Sequence, residues 1–177
     1  MVDLSYNYLS GLIPSFSNSS NLQILILNNN KFIEQIPEFS ENLTNLRILI
    51  MNQNYFSGSL PNSIRNLKNL RVLDISNNKL IGTLPSSISE LSNLTQFFSS
   101  SNYFTGLIPN FTSNSLTVID LTDTLLTGKL PTSIFQLPLL KTFAASKSCI
   151  DLDLSSLCSI TKNLSSLFLN GIKSNDR

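Results

Sequence analysis

The chain contains no histidine. That removes the commonest general base and the commonest side-chain metal ligand. Two cysteines are present, too few to build a zinc site alone, and no histidine exists to activate either as a nucleophile. No glycine-rich phosphate loop appears. An enzyme is therefore not expected, and no cofactor or metal is implied. Charge is also scarce. Charged residues make up 13% of 177 residues, about half of the roughly 25% usual in soluble proteins. Lysines and arginines are scattered singly and the net charge is +1, which argues against nucleic acid, where phosphate neutralisation needs clustered cations. No apolar run approaches the ~20 residues of a membrane-spanning helix. The longest, Leu22 to Leu27, is broken by Gln23, so no membrane contact is expected of this segment itself. Asp3 follows the first residues at once and no signal peptide is visible. A secreted form is expected to take its targeting signal from outside this chain.

What the sequence has instead is a repeat. Asn7, Asn30, Asn54, Asn78 and Asn102 recur at steps of 23, 24, 24 and 24 residues. The same frame runs on to Thr124, Ser148 and Ile172. About seven to eight units thus form one expected domain over residues 1–177, with a degenerate part from about 139. Within a unit, Leu73 and Ile75 alternate and so point to one side of a short strand. Stacking that strand from unit to unit gives a parallel sheet. Leu70, Leu73, Ile75, Leu80 and Leu84 then fill the interior. The asparagine falls where the chain leaves the strand, and its side chain can satisfy backbone groups that the turn leaves unpaired. Gly11, Gly58, Gly82, Gly106 and Gly128, four residues later, suggest a positive φ or a close approach. The prolines three residues beyond them stiffen the return path. Glu34 replaces the glycine in the second unit, and Thr124 and Ser148 replace the asparagine.

The run Asn69-Leu-Arg-Val-Leu-Asp-Ile-Ser-Asn-Asn-Lys-Leu-Ile-Gly-Thr-Leu-Pro85 and its neighbour from Asn45 to Pro61 resemble the plant-type leucine-rich repeat, L-x-x-L-x-L-x-x-N-x-L-[ST]-G-x-[IL]-P. The resemblance covers almost the whole chain. It implies an α/β solenoid, a right-handed superhelix with a parallel β-sheet on the concave face and irregular or 3₁₀ segments on the convex face. It also implies relatives such as receptor-like kinase ectodomains and secreted polygalacturonase inhibitors, hence an extracellular or cell-surface place. No cysteine-paired N-terminal cap is present, and the first residues already lie inside a repeat. Cys149 and Cys158 resemble the cysteine pair of a late repeat in some secreted members. They form either a disulfide in an oxidising compartment or two buried thiols packed as small apolar groups.

Members of this family mostly bind on the concave sheet, so the outward strand positions are the expected site. The residue between the two core positions is Asp3, Ile26, Ile50, Asp74, Phe98, Asp120, Ala144 and Phe168 along the array. Ile26, Ile50 and Phe98 are expected to face solvent beside Ile24, Ile48 and Val72. Arg47, Arg71 and Asp74 edge this apolar patch, which points to a protein or peptide contact. Ordinary strand propensity is the competing explanation for the β-branched residues. Sequons occur at Asn18, Asn42, Asn93, Asn110 and Asn163. With so many asparagines, serines and threonines chance alone produces about as many, so they are not an argument for secretion. The leading expectation is a non-catalytic recognition scaffold, part of a receptor-like protein. The others are a secreted inhibitor of a cell-wall-degrading enzyme and a structural or adhesion module built through the uncapped strand edge; the oligomeric state stays open. An ice-binding face would want a regular threonine lattice, and the outward columns mix serine, asparagine and threonine.

Overall fold

The computed structural model describes residues 1–151 and 164–172. Each unit contributes one strand to a parallel sheet of eight, which lines the concave face of the solenoid: Val2–Asp3, Ile24–Ile26, Ile48–Ile50, Val72–Asp74, Gln96–Phe98, Val118–Asp120, Thr142–Ala144 and Ser166–Phe168. The strands pair in repeat register, with Ile24 opposite Ile48, Ile48 opposite Val72 and Val72 opposite Gln96. The period-two pleat sends the middle residue of each strand inward. Leu25, Leu49, Leu73, Phe97, Ile119 and Phe143 are accordingly buried. The expected interior set of Leu70, Leu73, Ile75, Leu80 and Leu84 is buried as well.

Core volume is shared within a unit. Leu73 is followed at the next inward position by Ile75, whereas Phe97 is followed by Ser99 and Phe143 by Ala145, all of them buried. A larger side chain at one inward position thus accompanies a smaller one at the next, as close packing requires.

The asparagine column closes the turn after each concave strand. The Asn78 amide donates to the carbonyls of Ile75 (3.1 Å) and Ser76 (3.1 Å) in its own unit and to Met51 (3.1 Å) in the unit before. Its Oδ1 accepts the Phe56 N–H of that preceding unit at 3.1 Å. Asn30, Asn54 and Asn102 repeat the arrangement. Each asparagine therefore pins two units together. Thr124 and Ser148 donate to the Leu121 and Ala145 carbonyls of their own units. A hydroxyl has one hydrogen where the amide has two, so it cannot reproduce the full set.

Beyond that turn the chain forms a second parallel sheet, of seven strands: Ser10–Gly11, Lys31–Gln35, Tyr55–Gly58, Lys79–Thr83, Tyr103–Leu107, Leu125–Lys129 and Cys149–Asp151. Nothing in the repeat's residue pattern marks this second sheet. Here the register slips by two residues per unit, with Ser57 opposite Lys79 and Gly58 opposite Leu80. The repeated glycine belongs to this sheet. Gly58 and Gly106 have φ of +69° and +77°, and a Cβ at either would lie 2.7 Å from Gln35 Cγ or 2.9 Å from Thr83 Cγ2 of the preceding unit. Both conformation and space therefore call for glycine. Glu34 holds the same place with φ +67°, a strained state for a residue with a Cβ.

The return path takes two forms that follow the residues after the proline. Where the chain reads Pro-x-Ser-Ile, a helical turn forms, at Asn62–Asn66, Ser86–Glu90 and Thr132–Phe135, burying Ile64, Ile88 and Ile134. Where it reads Pro-x-Phe, at Phe39 and Phe111, the ring itself is buried and no helical turn forms. Ser63 and Ser133 accept the Phe39 and Phe111 N–H groups of the preceding unit (2.8 and 3.4 Å). Ser87, at the same place, faces a unit that already has a helical turn, and its buried hydroxyl has no partner among the described residues.

Candidate functional site

In-register pairing turns the outward strand positions into straight columns across the concave sheet. Ile24, Ile48 and Val72 form one, and Ile26, Ile50, Asp74 and Phe98 the next. The expected patch is thus brought together. Its aliphatic members are half-buried rather than fully exposed. Neighbouring strands lie only ~4.8 Å apart, so each β-branched side chain covers the next. Arg47 and Arg71 stand exposed just before their strands. They border the first column, and their backbone carbonyls accept the Arg71 and Thr95 N–H groups of the next unit, at 2.8 and 2.7 Å.

The large exposed apolar side chains are concentrated elsewhere. Ile33, Tyr55, Ile81, Tyr103 and Leu125 stand on the second sheet. Lys31 and Lys79 lie over the Tyr8 and Tyr55 rings, each 5.1 Å from the centroid.

Aspartates punctuate the second concave column. The Asp74 carboxylate accepts the Ser76 N–H at 3.0 Å and its hydroxyl at 2.6 Å. Burial pushes the Asp74 pKa above the usual carboxylate value, and the Ser76 hydrogen bonds oppose that shift. The charge of Asp120, two strands away, adds to the upward push. Asp3 repeats the Asp-x-Ser turn with Ser5 at 3.0 and 2.7 Å. Asp3 is fully exposed, and there the same hydrogen bonds lower the pKa.

Further along, the concave face opens into a hollow of about 360 Å³ between Phe98 and Phe168, floored by Ala144 and Asp120. Phe168 is 49% exposed. Asp120, Ala144 and Phe168 belong to the expected outward column but lie outside the expected site. The signal is a small residue next to a carboxylate between two aromatic rings of one column. A larger hollow, of about 450 Å³, follows the turn beside Tyr103, Asp123 and Lys147.

Among the sequons, Asn18, Asn42, Asn93 and Asn110 are exposed. The Asn42 and Asn93 amides donate to the carbonyls of Ser17 (3.2 Å) and Lys68 (3.0 Å) in the preceding unit. Asn93 aligns in the repeat with Asn45 and Asn69, which make the same bond to Ser20 and Thr44, so this asparagine is part of the scaffold. Asn163 lies outside the described residues. Cys149 opens a strand of the second sheet and is half-buried. Cys158 lies outside the described residues, and the expected pairing lies there with it. No helix among the described residues is long and apolar enough to cross a membrane.

Residues 20–80 match the leucine-rich repeat family model. No curated protein matches the chain. Among solved structures, a plant peptide hormone receptor, RGFR1 in complex with RGF2, superposes with a TM-score of 0.85 at 27% identity, over 93% of this chain and 31% of the receptor chain. The Arabidopsis receptor kinase HAESA ectodomain, in complex with an N-terminally extended IDA peptide hormone, does so with a TM-score of 0.85 at 31% identity, over 96% of this chain and 29% of that one. A plant ice-binding protein shares the fold, with a TM-score of 0.69 at 23% identity, over 98% of this chain and 60% of that one. The chain thus spans less than a third of the length of the two receptors.

Proposed function

Because the chain is a leucine-rich repeat protein of the plant type, we propose that it is a non-catalytic recognition scaffold outside the cell or at its surface, which takes an extended peptide or protein segment on its concave sheet. The observation that carries this reading is the pair of in-register columns. Ile24, Ile26, Ile48, Ile50 and Val72 make one continuous apolar strip across three strands, bordered by Arg47 and Arg71 and ended by Asp74 and Phe98. An extended ligand can bury side chains along such a strip, and the bordering charges fix its direction and register. The rigid scaffold supports this, since each strand is tied to the next and the ligand meets a preformed surface. The two receptors named above were solved with peptide ligands, which favours a peptide among protein ligands.

Panning a displayed library of random dodecapeptides against the folded protein tests the reading. Enriched peptides are expected to lose binding at least tenfold with Ile26→Asp plus Ile50→Asp. They are expected to keep it with Ile33→Ser plus Ile81→Ser on the second sheet. The opposite pattern would reject the concave face.

A further inference from the structure

We propose that the hollow between Phe98 and Phe168 receives a cationic side chain, arginine before lysine, from the ligand; this rests on the concave-face reading above. The hollow exists because of one small residue. Phe98, Asp120, Ala144 and Phe168 are consecutive members of a single column. Three strand spacings, ~14 Å, separate the two aromatic backbones, and Ala144 has nothing to fill the space between them. The cavity of about 360 Å³ is large enough for one long side chain.

Its chemistry is that of a cation receptor. The Asp120 carboxylate is half-buried in the floor. One of its oxygens accepts the Thr122 N–H at 2.9 Å. Among the described residues no lysine or arginine is within ion-pair distance of it. A buried-side carboxylate with an unengaged oxygen offers a strong, charge-assisted acceptor. The phenylalanines on either side supply aromatic faces that attract cations, and Thr122 and Ser146 add hydroxyls along the rim. Arginine fits this set better than lysine, because its planar fork both stacks on an aromatic ring and pairs with a carboxylate. Lys141, exposed one residue before Thr142, stands outside the lining.

The other concave aspartates do not offer the same thing. Asp3 is exposed on the first strand, where its column neighbour is the large Ile26. Asp74 also has one oxygen engaged, its Oδ1 taking both hydrogen bonds from Ser76, but it lies between the larger Ile50 and Phe98 in its column. Only at Asp120 does the neighbouring column member shrink to alanine.

The test is a methyl NMR titration of the intact protein with two kinds of probe. The first is N-acetyl-argininamide, with N-acetyl-citrullinamide as its uncharged isostere. The second is a pentapeptide, Ac-Ala-Val-X-Val-Ala-amide, with X arginine or citrulline. Shifts at Ala144, Val118 and Thr142 are expected for the arginine probes, with at least tenfold weaker binding of the citrulline forms. Asp120→Asn, which keeps the acceptor for Thr122, is expected to abolish that discrimination. Ala144→Ile, which fills the hollow and leaves the charge, is expected to weaken both arginine probes. Equal binding of arginine and citrulline probes, or unchanged discrimination in Asp120→Asn, overturns the proposal. If peptides move only the Ile26 and Ile50 methyls, the hollow fails and the peptide face stands. If argininamide binds at Ala144 while no peptide moves any concave methyl, the hollow stands and the peptide face fails.

Discussion

Asp74 and Glu34 each occupy a place that costs the fold something, for different reasons. Asp74 is held by Ser76 but desolvated, and its pKa lies above the ordinary value. The folded chain therefore binds the proton more tightly than the unfolded one. The stabilisation this gives is fully present below the unfolded aspartate pKa and is lost as pH rises through the raised folded value. Asp74→Asn keeps the acceptor for Ser76 and removes the charge. Urea unfolding is expected to show the variant gaining on the parent between acid and neutral pH, with the gap closing toward pH 3. Glu34 sits at φ +67° where other units have glycine. Glu34→Gly is expected to stabilise by about 0.5–1 kcal/mol, the αL cost of a side chain less the extra chain entropy of glycine. Gly128→Ala is expected to destabilise by a similar amount, because its φ of +76° strains a residue with a Cβ, while the nearby Leu107 side chain is exposed and can move aside. A rise in urea midpoint for the first and a fall for the second check the pair.

At the scale of the element, much of the concave strand was legible in the sequence. The alternation at Leu73 and Ile75 gives its inward face, and the asparagine spacing gives its end. The second sheet was not. Its outward residues mix Lys31, Tyr55, Lys79 and Tyr103, so they carry no uniform polar alternation, and its two-residue slip appears only once units are paired. The helical turns were written in the chain as Pro-x-Ser-Ile against Pro-x-Phe, a contrast that becomes readable when the buried Phe39 and Phe111 are seen to take the place of Ile64 and Ile134. The large-and-small pairing of inward residues has a direct consequence. Ser99→Ile in the presence of Phe97 is expected to cost about 1–3 kcal/mol through overpacking. Adding Phe97→Leu, which recreates the Leu73 and Ile75 pairing, is expected to recover most of it. A double-mutant cycle by denaturant unfolding reads the coupling, and additive effects would refute shared volume.

Over the whole molecule, stability comes from each unit lying on the next, since both sheets pair neighbouring units and Asn30, Asn54, Asn78 and Asn102 each bond to the unit before as well as to their own. That stacking is also what makes the columns straight and therefore usable as a surface. The sequence correctly placed Ile24, Ile26, Ile48, Ile50, Val72, Asp74 and Phe98 on one face. It overstated their exposure, because half-burial depends on how closely adjacent strands approach, and it missed the Asp120 hollow, because a cavity belongs to several units at once. The proposed function requires this face to hold an extended ligand. A crystal structure of the protein with a peptide enriched by panning tests it most directly. The expected result is a peptide running across the strands, with side chains on the Ile26, Ile50 and Phe98 columns. A peptide seated on the second sheet, over Tyr55, Ile81 and Tyr103, would contradict it.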